Sequence, residues 1–144
     1  MRYREVIRMP LWLLALIYFF LLSFVLSVWA ALGNNAALLT LIASSAFLIL
    51  IAVRSRLIIE VTENELKVGR AHIELKYIAQ AIALDSSQMR NIRTRDANPI
   101  AFLGIRFWSS TGVKVEISDK RDETPYWLIT SNKANQLVSA LKVN

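Results

Sequence analysis

The sequence predicts an α+β membrane protein: a two-helix transmembrane hairpin, then an antiparallel β domain closed by a C-terminal helix. Three observations predict it. No Asp, Glu, Lys, Arg or His occurs from Met9 to Val53, although 19% of the whole chain is Asp, Glu, Lys or Arg. Beyond Val53, apolar residues alternate with polar ones in short runs broken by turn residues, the mark of half-buried strands. Near the end the period changes: Ala134, Leu137, Val138 and Leu141 fall at i, i+3, i+4 and i+7, one face of a helix. The chain therefore divides into 1–53, the hairpin, and 54–144, the β domain with a helix over 132–142.

The uncharged run is too long for one span, which takes about 20 residues. It breaks at Gly33-Asn34-Asn35, a turn signal. Leu11–Leu32 gives about 33 Å of helix. The second span, 36–53, is shorter and suffices if Arg54 and Arg56 snorkel to the interface. Pro10 suits a first helical turn. Trp12, Tyr18 and Trp29 include two aromatics near the span ends, as an interfacial belt requires. Ala36, Ala37, Ala43, Ser44, Ser45 and Ala46 let two antiparallel helices approach closely. A cleavable signal peptide, with Val28 and Ala30 as its small-residue pair, is the competing reading. The apolar run exceeds a normal signal core, and a second span follows at once.

The flanks orient the hairpin. Arg2, Arg4 and Arg8 precede the first span, Arg54 and Arg56 follow the second, and the linker has no charge. The positive-inside bias puts both termini in the cytoplasm of a multi-pass protein of the inner or plasma membrane. The formal net charge is +6, suited to an anionic membrane face. Nucleic acid is not expected as a partner, because the basic residues are scattered and no recognition motif occurs.

The β domain reads as about seven strands. Runs at 56–62, 66–68, 71–75 and 77–85 are separated by very short turns, as in an antiparallel meander. A polar loop, 86–99, interrupts them. Strands follow at 100–108, 113–118 and 124–131, then the helix, capped by Ser131 or Asn132. Two bent sheets with a helix closing one end is the plan of pleckstrin-homology-like domains, an architectural likeness that carries no function.

The stretch 119–131, DKRDETPYWLITS, is the most distinctive. Pro125 belongs at a strand start or sheet edge, so Asp119–Glu123 reads as a solvated turn. Tyr126 and Trp127 point to opposite faces. One enters the core, and the other lies under the helix, in a groove or at the bilayer.

Around this stretch the chain resembles an uncharacterised family of small actinobacterial integral membrane proteins, a domain of unknown function. Thr124-Pro125-Tyr126-Trp127-Leu128, preceded by Asp119 and Asp122, is similar to its signature. Tyr3-Arg4-Glu5 with Pro10 and Trp12 is similar to its opening, and Val68-Gly69 with Ala71, Asn98-Pro99 with Ala101, and Trp108 fall in matching order. Family members read Asp-Pro before Thr-Pro-Tyr-Trp, where this chain has Asp122-Glu123. They continue with Ser-Thr-Arg and a Pro, where this chain has Thr130-Ser131-Asn132-Lys133 and Ala134. The resemblance implies two membrane helices and a cytoplasmic domain, and no known activity, substrate or cofactor.

Candidate sites are few. There is no Cys and a single His, His72, so thiolate metal sites are excluded, most His-based metal clusters are removed, and one candidate for a His-based triad is left. With no Gly-rich phosphate loop either, neither an enzyme nor a cofactor is expected. The first functional reading is a membrane-anchored binding or scaffold module. It meets a protein partner, or a second copy of itself, through an edge at Tyr126, Trp127 and Trp108. The second is recognition of anionic lipid or a small ligand through Arg90, Arg93 and Arg95. The third is a membrane-bound enzyme using Asp119, Asp122, His72 or Asp96.

Overall fold

The computed structural model describes residues 1–142. It divides into two compact units: Arg8–Arg56, and Met1–Ile7 together with the chain from Leu57 onward.

The first unit is a helical hairpin of α1 (Leu11–Leu32) and α2 (Asn34–Arg54). Both helices are long and apolar enough to cross a membrane. Helix α1 starts at Pro10, whose carbonyl accepts the Leu13 and Leu14 N–H groups. It ends at Gly33, which adopts φ +84, a conformation that favours glycine, and donates to the Trp29 carbonyl. A single residue thus makes the turn, and α2 begins at Asn34 rather than at the expected Ala36. The Trp29 indole donates to Asn34 Oδ1 at 2.7 Å, and the Tyr18 and Ser45 hydroxyls meet at 3.3 Å between the helices. Leu13 and Ser44 alone are buried in the hairpin. Its apolar side chains otherwise face outward, the inverse of a soluble bundle.

The second unit holds two four-stranded sheets. The first pairs β1 (Tyr3–Ile7), β2 (Leu57–Val61), β3 (Glu65–Val68) and β4 (Ala71–Glu74) in that order, all antiparallel. Strand β1 is new: the sequence reading treats residues 1–8 only as a cationic flank. It pairs along its full length with β2, Tyr3 opposite Val61 and Ile7 opposite Leu57. The hairpin is therefore an insertion between two neighbouring strands.

The second sheet runs β5-β7-β8-β6, with β5 (Ile78–Leu84), β6 (Phe102–Gly104), β7 (Gly112–Ile117) and β8 (Tyr126–Thr130). The expected long strand over 100–108 shortens to three residues, and it runs parallel to β8. The sheet is therefore mixed rather than wholly antiparallel, and the described residues hold eight strands rather than seven.

The polar segment 86–99, expected as a loop, contains a helix, α3 (Ser86–Thr94). The Asp85 carboxylate accepts the Gln88 N–H, and the Gln88 side chain accepts the Asp85 N–H. This capping box satisfies two donors that a helix start leaves orphaned. Met89 pins α3 to a small core with Leu84, Tyr126 and Leu128. Helix α4 (Ala134–Leu141) lays Leu137 and Leu141 into the main core, beside Ile59, Val115, Trp127 and Ile129.

Candidate functional site

The junction of β8 and α4 carries the densest polar network of the second unit. Glu5 sits on β1 with its carboxylate turned inward and buried. Its Oε2 accepts the Tyr3 hydroxyl at 2.7 Å and the Ser131 hydroxyl at 2.6 Å, and Oε1 accepts the Asn132 N–H at 2.9 Å. A buried carboxylate needs such donors. Burial, with the hydrogen bond to Glu5, pushes the Tyr3 hydroxyl well above its usual range, so that proton stays on Tyr3. Ser131 Oγ also accepts the Lys133 N–H at 3.1 Å. Neither Ser131 nor Asn132 caps α4 as expected: the helix starts at Ala134 behind Lys133 with no side-chain cap, and Ser131 instead tightens the turn that leads into it.

Thr130 is the next hub. Its hydroxyl accepts the Arg106 N–H at 2.9 Å and Arg93 Nη2 at 3.5 Å. Arg93 also reaches the Ser109 carbonyl at 3.4 Å. The Ser109 hydroxyl donates to Asn132 Oδ1, and that of Thr111 to the Ser131 carbonyl. These groups face one another, so the network ties α3, the 105–111 segment, β1 and α4 together. Among the described residues, two buried donors, Arg93 Nε and Trp108 Nε1, have no hydrogen-bond partner. Burial alone pulls the Arg93 guanidinium below its ordinary value.

The predicted site residues separate. Arg90, Arg93 and Arg95 do not form one basic loop. Arg93 is half-buried against Thr130, whereas Arg90 and Arg95 are exposed. The expected partner edge at Tyr126 and Trp127 is absent, because β8 lies inside its sheet between β7 and β6. Tyr126 is 9% and Trp127 6% exposed, and Trp127 stacks on Phe102 with ring centroids 4.6 Å apart. Trp108 packs on the same core. Among the flanking arginines, Arg2 pairs with Glu63 and Arg4 with Glu60, so both belong to the sheet's own surface. Arg8, Arg54 and Arg56 are exposed.

The carboxylates around the last turn serve the turn. Asp119 binds the Arg121 side chain and its N–H, and Asp122 accepts the Thr124 N–H. His72 is exposed on β4, opposite Lys67, and Asp96 is exposed after α3. Among the described residues no three of His, Cys, Asp and Glu converge.

The free edge was not legible in the sequence. Strand β5 is an edge of the second sheet, and among the described residues it pairs only with β7. Ile78, Ala79, Gln80, Ala81, Ile82 and Ala83 all line a groove of about 1100 Å³ beside α4. Consecutive residues of a strand point to alternate faces, so a groove touching all of them runs along the backbone edge.

No curated protein matches this chain, and no solved structure does. The family model described as a protein of unknown function (DUF3093) matches residues 2–141, from the strand before the hairpin to the last turn of α4, and the chain belongs to that family.

Proposed function

We infer that the protein is a membrane-anchored binding module. The hairpin crosses the bilayer, and the β unit, read as pleckstrin-homology-like in plan, is presented at the cytoplasmic face with both termini. One observation carries the anchor: two long helices expose apolar side chains on all sides, within an insertion between two paired strands. Leu11, Phe19, Phe20, Leu39 and Ile49 are exposed; in water such a surface would be a severe liability, and a bilayer removes it. The pairing of β1 with β2 also argues against a cleaved leader, since cleavage after Ala30 would discard a strand of the sheet. The anchor is tested by carbonate extraction of cell membranes: the chain stays in the pellet, and its release into the supernatant would sink the reading.

The binding half of the reading rests on the β5 edge. Its residues are uncharged and contain no Pro, so neither charge nor proline blunts the edge; its one irregularity is a register shift between Ile78 and Gln80. An extended segment of a protein partner adds there by backbone pairing. A photoreactive side chain at Gln80 captures that partner in membranes, whereas one at the exposed Lys67 does not. Equal capture at both positions would remove the β5 edge from the proposal. The reading assigns no catalytic step and no cofactor. The alternative, lipid recognition by one loop of Arg90, Arg93 and Arg95, loses Arg93, which is engaged internally.

A further inference from the structure

We propose that the end of the β unit bearing Ile7 and Leu57 docks into the headgroup layer of an anionic bilayer. Ile100, Leu103 and Phe107 insert, and Arg70, Arg90 and Arg95 contact lipid phosphates. The proposal rests on the membrane-anchor reading and adds a second, reversible attachment to it.

Exposure is the first argument. Ile100 is 57%, Leu103 55% and Phe107 71% exposed, all within one short segment of the β unit. Single exposed apolar residues are ordinary on a soluble surface, whereas a group of large ones marks an interaction site.

Position is the second. Gly104, the buried last residue of β6, leaves so little room that an added Cβ would come within 2.8 Å of Val68 Cγ1. Val68 stands opposite Ile59. The next residue, Gly69, has φ +62 and donates to the Ile58 carbonyl at 2.8 Å. The segment and the Gly69-Arg70 turn therefore adjoin the start of β2, where the chain arrives from Arg56. Ile58 is itself exposed there. The chain leaves this end of the β unit for the hairpin after Ile7 and re-enters it at Leu57.

Charge is the third. Arg70, Arg90 and Arg95 are exposed. The Thr130 hydroxyl accepts from both Arg93 of α3 and the Arg106 backbone, so α3 is held beside the apolar segment. From Ser86 to Trp108 the chain has Arg90, Arg93, Arg95 and Arg106 against Asp96 alone. Inserted apolar side chains with arginines on adjoining segments fit an anionic interface, where both contributions act together.

The full chain has no cysteine, so single introduced cysteines carry a polarity-sensitive fluorophore uniquely. Leu103→Cys, Phe107→Cys, Ser118→Cys and Phe24→Cys are reconstituted in vesicles of phosphatidylethanolamine and phosphatidylglycerol containing a lipid-borne quencher. Ser118 is exposed at the opposite end of β7 and serves as the water control. Labels at 103 and 107 are expected to be blue-shifted and quenched, and the label at 118 is not. Arg70→Gln, Arg90→Gln and Arg95→Gln each shift the docked-to-free ratio about fivefold toward free. Labels at 103 and 107 as wet as that at 118, with the label at 24 quenched, overturn the docking and leave the anchor standing. A label at 24 that stays unquenched overturns the anchor itself. Equal quenching in purely zwitterionic vesicles removes the arginines from the proposal.

Discussion

Ile7, the last residue of β1, stands directly opposite Leu57, the first of β2, with the entire helical hairpin between them in the chain. Paired strands lie within about 6 Å, whereas a bilayer core is about 30 Å thick. Residues 3–7 and 57–61 must therefore occupy the same side of any membrane the hairpin crosses, and the number of crossings must be even. Arg4→Cys and Lys67→Cys are expected to react with an impermeant maleimide from the same side, and Asn35→Cys from the other. Opposite-side labelling at Arg4 and Lys67 would mean that the β1–β2 ladder does not form in the membrane.

The Glu5 network makes a second prediction. Glu5 is the group that joins β1 to the entrance of α4, through Ser131 and the Asn132 N–H. Glu5→Ala leaves those donors buried without an acceptor, at about 2–4 kcal/mol. Tyr3→Phe removes one hydroxyl and one of three donors, at about 1 kcal/mol. Their effects are expected not to add, because both act on one carboxylate. Pulse proteolysis of the two single variants and the double variant, detergent-solubilised, across a urea series reads the comparison. A Glu5→Ala variant as stable as the parent would show that the network is dispensable.

Much of this was legible in the sequence, and the gaps have physical causes. The two long apolar helices were visible because the uncharged run is uninterrupted and breaks only at Gly33-Asn34-Asn35. Strand β7 was visible because Val113, Val115 and Ile117 alternate against Lys114 and Glu116. Helix α3 was missed because its average is polar and only Met89 is buried. Its one local signal, Asp85 followed three residues later by Gln88, is a capping box that the loop-like composition obscured. Strand β1 was missed because Tyr3–Ile7 mixes charge with apolar residues and sits beside a membrane span. Its partner lies beyond the hairpin, where no local pattern can point. Glu5, Thr130 and Arg70 went unnoticed as site residues for the same reason, since their meaning depends on contacts distant in sequence.

Trp127 tests the correction at β8. Its indole stacks on Phe102 inside the main core, so it holds the second sheet together rather than meeting a partner. Trp127→Ala is expected to destabilise the fold by about 3–5 kcal/mol. The loss would appear as lower abundance and protease sensitivity of the whole β unit. Substitution at the exposed Gln80 leaves both unchanged. A Trp127→Ala chain that is folded and abundant, yet fails to associate with a partner, would restore the edge expected from the sequence.

Asp85 gives a pH dependence whose sign follows from its cap. The Gln88 backbone N–H holds its carboxyl below the usual carboxylate range. A group depressed in the folded state contributes its stability above the unfolded value, near 3.9, and loses it as pH falls through the lower folded value. At pH 7 the parent is therefore expected to exceed Asp85→Ala in stability, because the carboxylate satisfies an orphan N–H at the start of α3. The difference narrows below about pH 4 as the carboxyl protonates. Asp85→Asn, which keeps a neutral acceptor, is expected to lose that acid dependence while retaining most of the cap. Urea unfolding of the three purified chains at pH 7 and in acid reads the comparison. A gap between parent and Asp85→Ala that is undiminished below the folded value would assign the effect to helix propensity instead of the charged cap.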